Sequence, residues 1–213
     1  MPFASLVAGA ERVTLPPPSH KGEISVEEAL KKRRTHRSFK PEALSLNQFS
    51  QILWAAYGVT AKRHGYALKT APSAGALYPI DIYAVVGDRT VKTLPPGVYH
   101  YHPEKHEVIP VKEGDRRKAV ARASLGQMWM ASAPAMLVIT GEYARCTVKY
   151  GRRGSTYTHI EAGCVGQNIF LQAEALGLKA GIVGAFRNDQ VIKTLGIPAD
   201  HDPLLIMPVG YPD

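Results

Sequence analysis

Eight residues in the middle of the chain, from Pro72 to Pro79, restrict the backbone more than any other segment. They read Pro-Ser-Ala-Gly-Ala-Leu-Tyr-Pro, and the apolar run Ile80 to Val86 that follows predicts a buried strand. Small side chains let a flat ligand approach the backbone closely and leave its amides free to donate hydrogen bonds. A rigid turn that only leads into the strand is the alternative interpretation.

The remaining pattern predicts an α+β fold, with an extended N-terminal arm at residues 1–24 and a single domain at residues 25–213. Capping boxes at Ser25–Glu28 and Ser45–Gln48 predict two helix starts, and Gly58 is expected to close the second helix in the left-handed conformation. Residues 59–73 are expected to form a loop. Further helices are expected at 115–125, 156–176 and 188–196, and further strands at 98–101, 108–111, 135–140, 180–183 and 204–209.

Composition excludes several classes of protein. Of the 213 residues, 45% are hydrophobic and 21% charged, which is typical of a soluble globular chain. No apolar run approaches the ~20 residues of a membrane span, and no secretory signal is recognised, so we expect a cytoplasmic protein. Cys146 and Cys164 lack metal-site spacing, and no metal is expected.

The chain is basic, with a net charge of +8. Its basic residues are scattered and accompany no nucleic-acid-binding motif, so we expect no nucleic-acid partner. A positive field also attracts anionic small ligands, and this is the interpretation we prefer.

Several motifs stand in one order along the chain, and each of them alone is unspecific. Together they resemble the FMN-dependent nitroreductase superfamily and, within it, the SagB-type dehydrogenase branch, over residues 11–212. The resemblance implies a homodimeric nitroreductase-like fold, with a central, mainly antiparallel sheet flanked by helices. The motifs are Arg33-Arg34-Thr35-His36-Arg37-Ser38-Phe39, Leu53-Trp54-Ala55-Ala56-Tyr57-Gly58, residues 72–79, Gly97-Val98-Tyr99-His100-Tyr101, Lys149-Tyr150-Gly151, Glu161-Ala162-Gly163, Gln167-Asn168 and Pro208-Val209-Gly210-Tyr211-Pro212.

The basic cluster at residues 33–37 is the first candidate site. A hydroxyl between two guanidiniums suits a phosphate group, whereas cations at the end of a helix can equally complement the helix dipole. The resemblance implies that Arg33, Thr35 and Arg37 hold the phosphate and ribityl chain of a noncovalent FMN, with Arg34 ranked lower.

The resemblance also implies where the flavin ring is held. Pro72, Ser73, Ala74 and Ala76 would contact the ring, commonly from the partner subunit of a homodimer. Gln127 would face the pyrimidine edge, although a plain surface glutamine is equally compatible with the sequence. A backbone amide of the turn Val183-Gly184-Ala185 would point at flavin N5, the alternative being an ordinary turn.

Lys149 and Tyr150 are the candidate catalytic residues, because a Lys-Tyr pair at this point of the SagB branch is implicated in substrate proton removal. The alternative is an exposed basic loop. Many nitroreductases also carry a C-terminal basic segment near the phosphate. Since only Asp213 follows the Gly-Tyr-Pro motif here, we expect that this contact is either missing or supplied by a residue such as Arg145, Arg153 or Arg187.

The function implied is an FMN-dependent oxidoreductase that transfers hydride in a ping-pong reaction, with NAD(P)H as a possible donor and a small molecule or a peptide as substrate. The alternatives are an azoline-to-azole peptide dehydrogenase and a flavin-binding protein without turnover. The residues Ala162, Gly163 and Gly166 would allow a close helix contact, either within the chain or at a dimer seam.

Overall fold

The computed structural model describes residues 11–63 and 65–213. Its main sheet has seven strands in the spatial order β1-β6-β5-β4-β7-β9-β8, and every pairing between these strands is antiparallel. The predicted α+β fold with a mainly antiparallel sheet is therefore confirmed. The strands are β1 Val13–Thr14, β4 Ile80–Val86, β5 Gly97–His102, β6 Glu107–Glu113, β7 Ala135–Gly141, β8 Lys179–Ala180 and β9 Asp202–Gly210, while β2 Val59–Arg63 and β3 Tyr66–Lys69 form a separate pair.

Helices cover both faces of the main sheet. On the first face, α2 and α5 contribute Phe49, Leu53, Val165 and Ile169 to the larger core cluster. On the opposite face, α3 and α6 contribute residues such as Val120 to a second cluster. The helices are α1 Val26–Lys32, α2 Leu46–Tyr57, α3 Arg117–Ala123, α4 Ala144–Tyr150, α5 Arg153–Ala175 and α6 Asn188–Leu195.

Local sequence signals explain most of these elements. The Ser25 side chain accepts a hydrogen bond from the Glu28 backbone, and the reciprocal capping box at Ser45 and Gln48 is complete. All of β4 except Asp81 is buried, as expected for a central strand with a helix layer on each face.

The prediction of a loop at residues 59–73 is wrong, because β2 and β3 form a hairpin within this range. Gly65 lies in the turn of this hairpin and has a positive φ of 81°. A glycine turn between β-forming residues such as Val59 and Tyr66 is a hairpin signal, and the prediction missed it. Gly58 is also extended rather than left-handed, with φ −69° and ψ 156°. A methyl group on Gly58 would lie 2.2 Å from Cδ1 of Trp54, so glycine is required there for close packing.

The described part of the expected N-terminal arm packs on the sheet. Val13 and Thr14 pair with β6, Leu15 is buried, and the carbonyl of Pro16 accepts a hydrogen bond from Ser50. Residues 1–10 of that arm lie outside the described residues, and the division between arm and domain stays a prediction. Within residues 11–63 and 65–213, none of the helices has the length and apolar character needed to cross a membrane.

The small residues of α5 face two directions. Ala162 is buried, and a methyl group on Gly166 would contact Leu205 and Met207 of β9 at 3.4 and 3.5 Å. These two residues therefore serve the packing of the helix on its own sheet. Gly163 is exposed, with open space beside it, and of the three it alone is available to another subunit.

Candidate functional site

The chain between α1 and α2 runs beside the sheet edge at β8. Thr35 forms a parallel bridge with Ala180, and the His36 amide donates to the Ala180 carbonyl at 3.0 Å. The Arg33 guanidinium lies 5.1 Å from the ring centroid of Phe170 on α5, while Arg37 is exposed. Residues 33–37 are thus held as an extended segment against the core.

Arg34 has a local partner. Its Nη1 donates to the carbonyls of Lys31 and Arg33 at 3.1 and 2.7 Å. This is the helix-terminal role that the sequence offered as the alternative for the whole cluster, and it agrees with the lower rank given to Arg34.

Gly181 packs against His36 on one side and Trp129 on the other, which brings two further segments beside residues 33–37. A methyl group on Gly181 would lie 2.7 Å from the His36 carbonyl oxygen and 2.8 Å from Cη2 of Trp129. Two residues before Trp129, the Gln127 amide donates to the Ala185 carbonyl at 3.2 Å. Three segments distant in sequence therefore converge: residues 33–37, 127–129 and 181–185.

The turn at Val183–Ala185 leaves backbone accessible. Val183 is buried and bridges Ile206, whereas Gly184 and Ala185 are exposed. Gly184 has open space where a side chain would stand. A flat group can therefore approach the backbone at this point.

The loop at residues 72–79 is strained. Gly75, Ala76 and Tyr78 have φ angles of 62°, 53° and 49°, and two of these residues are not glycine. The Tyr78 amide donates to Oγ of Ser73 at 2.9 Å, which closes the loop on itself. Left-handed non-glycine residues cost free energy and cluster at functional sites, which favours a functional loop over a simple turn.

Lys149 and Tyr150 stand beside this loop. They form the last turn of α4, so the alternative expectation of an exposed basic loop is wrong about the backbone. A methyl group on Gly75 would lie 2.7 Å from Oη of Tyr150 and 3.0 Å from Nζ of Lys149. A larger residue at position 75 would displace these two polar atoms from their places beside the loop backbone.

Arg145 fixes α4 against the loop. Its Nη2 and Nε pair with the carboxylates of Asp81 and Glu142 at 2.7 and 2.6 Å, and its Nη1 donates to the Tyr78 carbonyl at 3.1 Å. Arg145 was expected to contact a phosphate, but its guanidinium faces these three acceptors. Sequence reasoning missed this role because Asp81 is distant in the chain.

The same ion pairs determine the charge of Asp81. Burial alone would raise the pKa of Asp81, but the hydrogen bond from His100 and the charge of Arg145 outweigh it and hold that pKa at about 2. Asp81, Glu142 and His201 each place a ligand atom within 4.8 Å of the others. Because the guanidinium of Arg145 already pairs with both carboxylates, we assign an ion-pair network here rather than a metal centre.

A second buried cluster lies under the loop, and sequence reasoning found only part of it. The Tyr57 hydroxyl donates to Glu161 of α5 at 2.5 Å, and Nζ of Lys69 lies 3.9 Å from the Tyr57 ring centroid and 4.6 Å from that of Tyr78. Burial raises the pKa of Glu161, against the opposing effect of hydrogen bonds from Ser73 and Tyr57. Burial also lowers the pKa of Lys69 to about 8.

Within one chain the predicted site residues thus form two groups. The first group contacts α5 through Phe170 and comprises residues 33–37, 127 and 183–185. The second group contacts α5 through Glu161 and comprises residues 72–76 and 149–150. Phe170 follows Glu161 by nine positions, so the contacts are about 13 Å apart along the helix at ~1.5 Å per residue. Two cavities, of about 800 and 270 Å³, are both lined by other residues.

Residues 30–211 match the model of the Nitroreductase family, and the chain belongs to that family. A Methanocaldococcus jannaschii protein classed as a nitroreductase is 44% identical over 188 residues, which cover 88% of this chain and 91% of the relative. A solved Ralstonia eutropha structure of the same class superimposes with a TM-score of 0.82 at 26% identity, covering 100% of this chain and 99% of the other.

More distant relatives represent two activities. The microcin B17-processing protein McbC of Escherichia coli is 27% identical over 157 residues, covering 72% of this chain and 57% of the relative. An NADPH-flavin oxidoreductase of Vibrio harveyi is 28% identical over 114 residues, covering 50% and 48%. The predicted family is confirmed, and family and relatives together support an oxidoreductase.

Lys69 should make stability depend on pH. Its folded pKa of about 8 lies below the ordinary value of 10.5, so the unfolded chain binds more protons between these values. The free energy of unfolding of the wild type, relative to Lys69→Met, should therefore rise by about 2–3 kcal/mol between pH 7 and pH 10. Urea unfolding of both proteins measures this, and a constant difference across the range would contradict the assignment.

Proposed function

We propose that this chain is an FMN-dependent oxidoreductase of the nitroreductase type. The observation that carries the proposal is the convergence of residues 33–37, 127–129 and 181–185 beside an accessible backbone at Gly184. When bound, FMN would supply the two-electron hydride chemistry. The flavin relative from Vibrio harveyi and the net charge of +8 support a flavin as the ligand.

The residues present fit this cofactor. Arg33, Thr35 and Arg37 offer two guanidiniums and a hydroxyl for the phosphate and ribityl chain. Gln127 lies next to Ala185; its amide nitrogen donates to the carbonyls of Ser124 and Ala185, and its side-chain oxygen is the atom it offers to the pyrimidine edge. Gly184 leaves room for the ring plane, with Val183 and Ala185 on either side.

We propose that two copies of the chain complete the site. The loop residues Pro72, Ser73, Ala74 and Ala76 would reach the flavin held by residues 33–37 of the partner subunit. The separation of the two groups along α5 supports this arrangement, and exposed Gly163 offers a place for a second α5 to approach. NAD(P)H is the proposed donor, and the two free cysteines suit a cytoplasmic location.

Lys149 and Tyr150 favour a dehydrogenase as the more specific function. Both side chains lie at the loop that would contact the flavin, where Nζ or Oη can take a proton from one substrate atom as hydride leaves the neighbouring carbon, so that a double bond forms between the two. The similarity to McbC makes an azoline-containing peptide one candidate substrate. Neither residue is needed when a quinone or nitro compound takes its proton from solvent.

Removing the phosphate contacts should release the cofactor. Arg33→Ala combined with Arg37→Ala deletes two charge-assisted contacts, each contributing roughly 1.5–3 kcal/mol. Flavin absorbance after gel filtration should fall to a small fraction of the wild-type value, while Lys118→Ala combined with Arg89→Ala removes the same charge elsewhere and should retain it. Wild-type flavin content in the first variant would refute the phosphate site, and a flavin-loaded monomer would refute the two-subunit site.

Lys149→Met and Tyr150→Phe should separate the two half-reactions. Each should slow flavin reduction by a proton-donating substrate about 10²–10⁴-fold, the range typical of general acid–base catalysis. Flavin content and reoxidation by a quinone should stay close to wild type. Stopped-flow absorbance measures both halves. Equal losses in the two halves would indicate structural damage, and no loss in either would leave a simple flavin reductase.

Gly75→Ala should reproduce the Lys149 defect without removing a polar group. The added methyl group displaces Tyr150 and Lys149, and misplacement of this size costs up to about 10²-fold in rate. Gly65→Ala is the matched control, because Gly65 also has a positive φ but nothing lies within 4 Å of the added carbon. If both variants slow flavin reduction equally, backbone strain rather than side-chain displacement is responsible.

A further inference from the structure

We propose that the cavity between the β5–β6 hairpin and the segment after α6 binds a small, flat organic anion, of the size and charge of a monocyclic aromatic carboxylate. The cavity measures about 270 Å³ and is lined by His100, His102 and Ile109 of the hairpin and by Gly196 and Pro198. Small-molecule sites in proteins usually measure about 300–1,000 Å³, so this cavity suits a ligand of one ring.

The walls favour a flat, largely apolar body. Tyr83 and His100 stack with their ring centroids 4.8 Å apart and their planes 25° apart, which provides an aromatic wall. Ile109, Val111 and Pro198 provide apolar surface. An aromatic ring can stack on such a wall while it fills the apolar part of the cavity.

The polar groups favour a negative charge on the ligand. Arg12 and Lys105 are exposed residues that line the cavity, and no carboxylate is among the described residues of its lining. Of the carboxylates nearby, Glu107 accepts from Arg12 at 3.1 Å and Asp81 pairs with His100, while burial, helped by the charges of Asp200 and Glu142, raises the pKa of Tyr83. Arg12 uses one of its five donors on Glu107, so further donors remain for a ligand.

His102 gives the most direct sign of a missing partner. Its Nδ1 is buried, and no group in the described part of the chain makes a hydrogen bond to it. Buried polar atoms nearly always have a partner, and leaving one without any costs free energy. His102 lines the cavity, and a turn of its ring would bring this nitrogen to the cavity surface, where a carboxylate can accept a hydrogen bond from it.

This site is separate from the one proposed for FMN. None of the residues assigned to the flavin lines the cavity. The proposal therefore does not depend on the flavin assignment, and it survives if that assignment fails.

Benzoate is the probe that tests the proposal. Titrated into protein labelled with ¹⁵N-histidine, it should shift the His102 ring signals saturably, whereas benzylamine, of similar shape and opposite charge, should not. Arg12→Gln should weaken benzoate binding about tenfold or more, because a charge-assisted hydrogen bond is lost. The exposed Arg89→Gln serves as the matched control and should leave binding unchanged.

His102→Phe provides a second variant that removes the ring nitrogen and keeps an aromatic side chain. Benzoate affinity, measured by calorimetry on the folded variant, should again fall about tenfold or more. The proposal is overturned if benzoate leaves the His102 signals unmoved. It is equally overturned if Arg12→Gln and His102→Phe both bind benzoate as tightly as the wild type, since the ligand would then lie elsewhere, for example at the flavin.

Discussion

The ion pair between Arg145 and Asp81 holds the candidate active site together. Asp81 is the second residue of β4, directly after the loop at residues 72–79, and Arg145 lies one helical turn before Lys149 on α4. A strand, a strained loop and a helix therefore meet at one guanidinium. Breaking a buried ion pair from one side leaves an uncompensated charge, at a cost of about 3–5 kcal/mol. The position of Lys149 depends on this contact, although none of the three acceptors of Arg145 belongs to a residue assigned to the flavin.

The long helix α5 relates the two parts of the site to each other. Its first half supports the loop through Glu161, which accepts a hydrogen bond from Tyr57, and its second half supports Arg33 through Phe170. Both contacts lie on one continuous, 23-residue helix whose inner side packs on the sheet. In each chain one rigid helix would thus support both the residues proposed to hold a flavin and the pair proposed to act on the partner's flavin, and a two-fold pairing of subunits would bring the complementary halves together.

Local signals in the sequence were sufficient for the framework of the fold. The capping serines Ser25 and Ser45 mark helix starts by their own hydrogen bonds, and the apolar run of β4 needs no distant partner to be recognised. Gly58 was misread because its role depends on the indole of Trp54, which no helix-ending rule includes. The hairpin at residues 59–69 was missed because its strands are mostly exposed and carry little hydrophobic pattern.

The candidate site was less predictable than the fold because the roles of its residues depend on contacts between distant segments. The ordered motifs pointed to the candidate residues, but Arg145, Lys69 and Tyr57 acquire their roles only when distant segments meet. Arg145 is an arginine, as are residues that the family resemblance assigns to the phosphate, so its residue type alone does not separate the two roles. Which cation faces a carboxylate and which faces solvent is decided by tertiary packing, and the sequence alone does not contain that information in a local form.

The fixed spacing between the contacts of Glu161 and Phe170 along α5 restricts where residues can be inserted into or deleted from this chain. One residue inserted between Glu161 and Phe170 would turn the rest of the helix by about 100° and advance it by ~1.5 Å. Phe170 would then leave Arg33, and the buried face would meet solvent. Gly65, in the turn between β2 and β3, has no such constraint, because nothing lies within 4 Å of the place where its side chain would stand. Insertions and deletions in natural variants should therefore accumulate in turns of that kind, while the interval from residue 161 to residue 170 keeps a constant length.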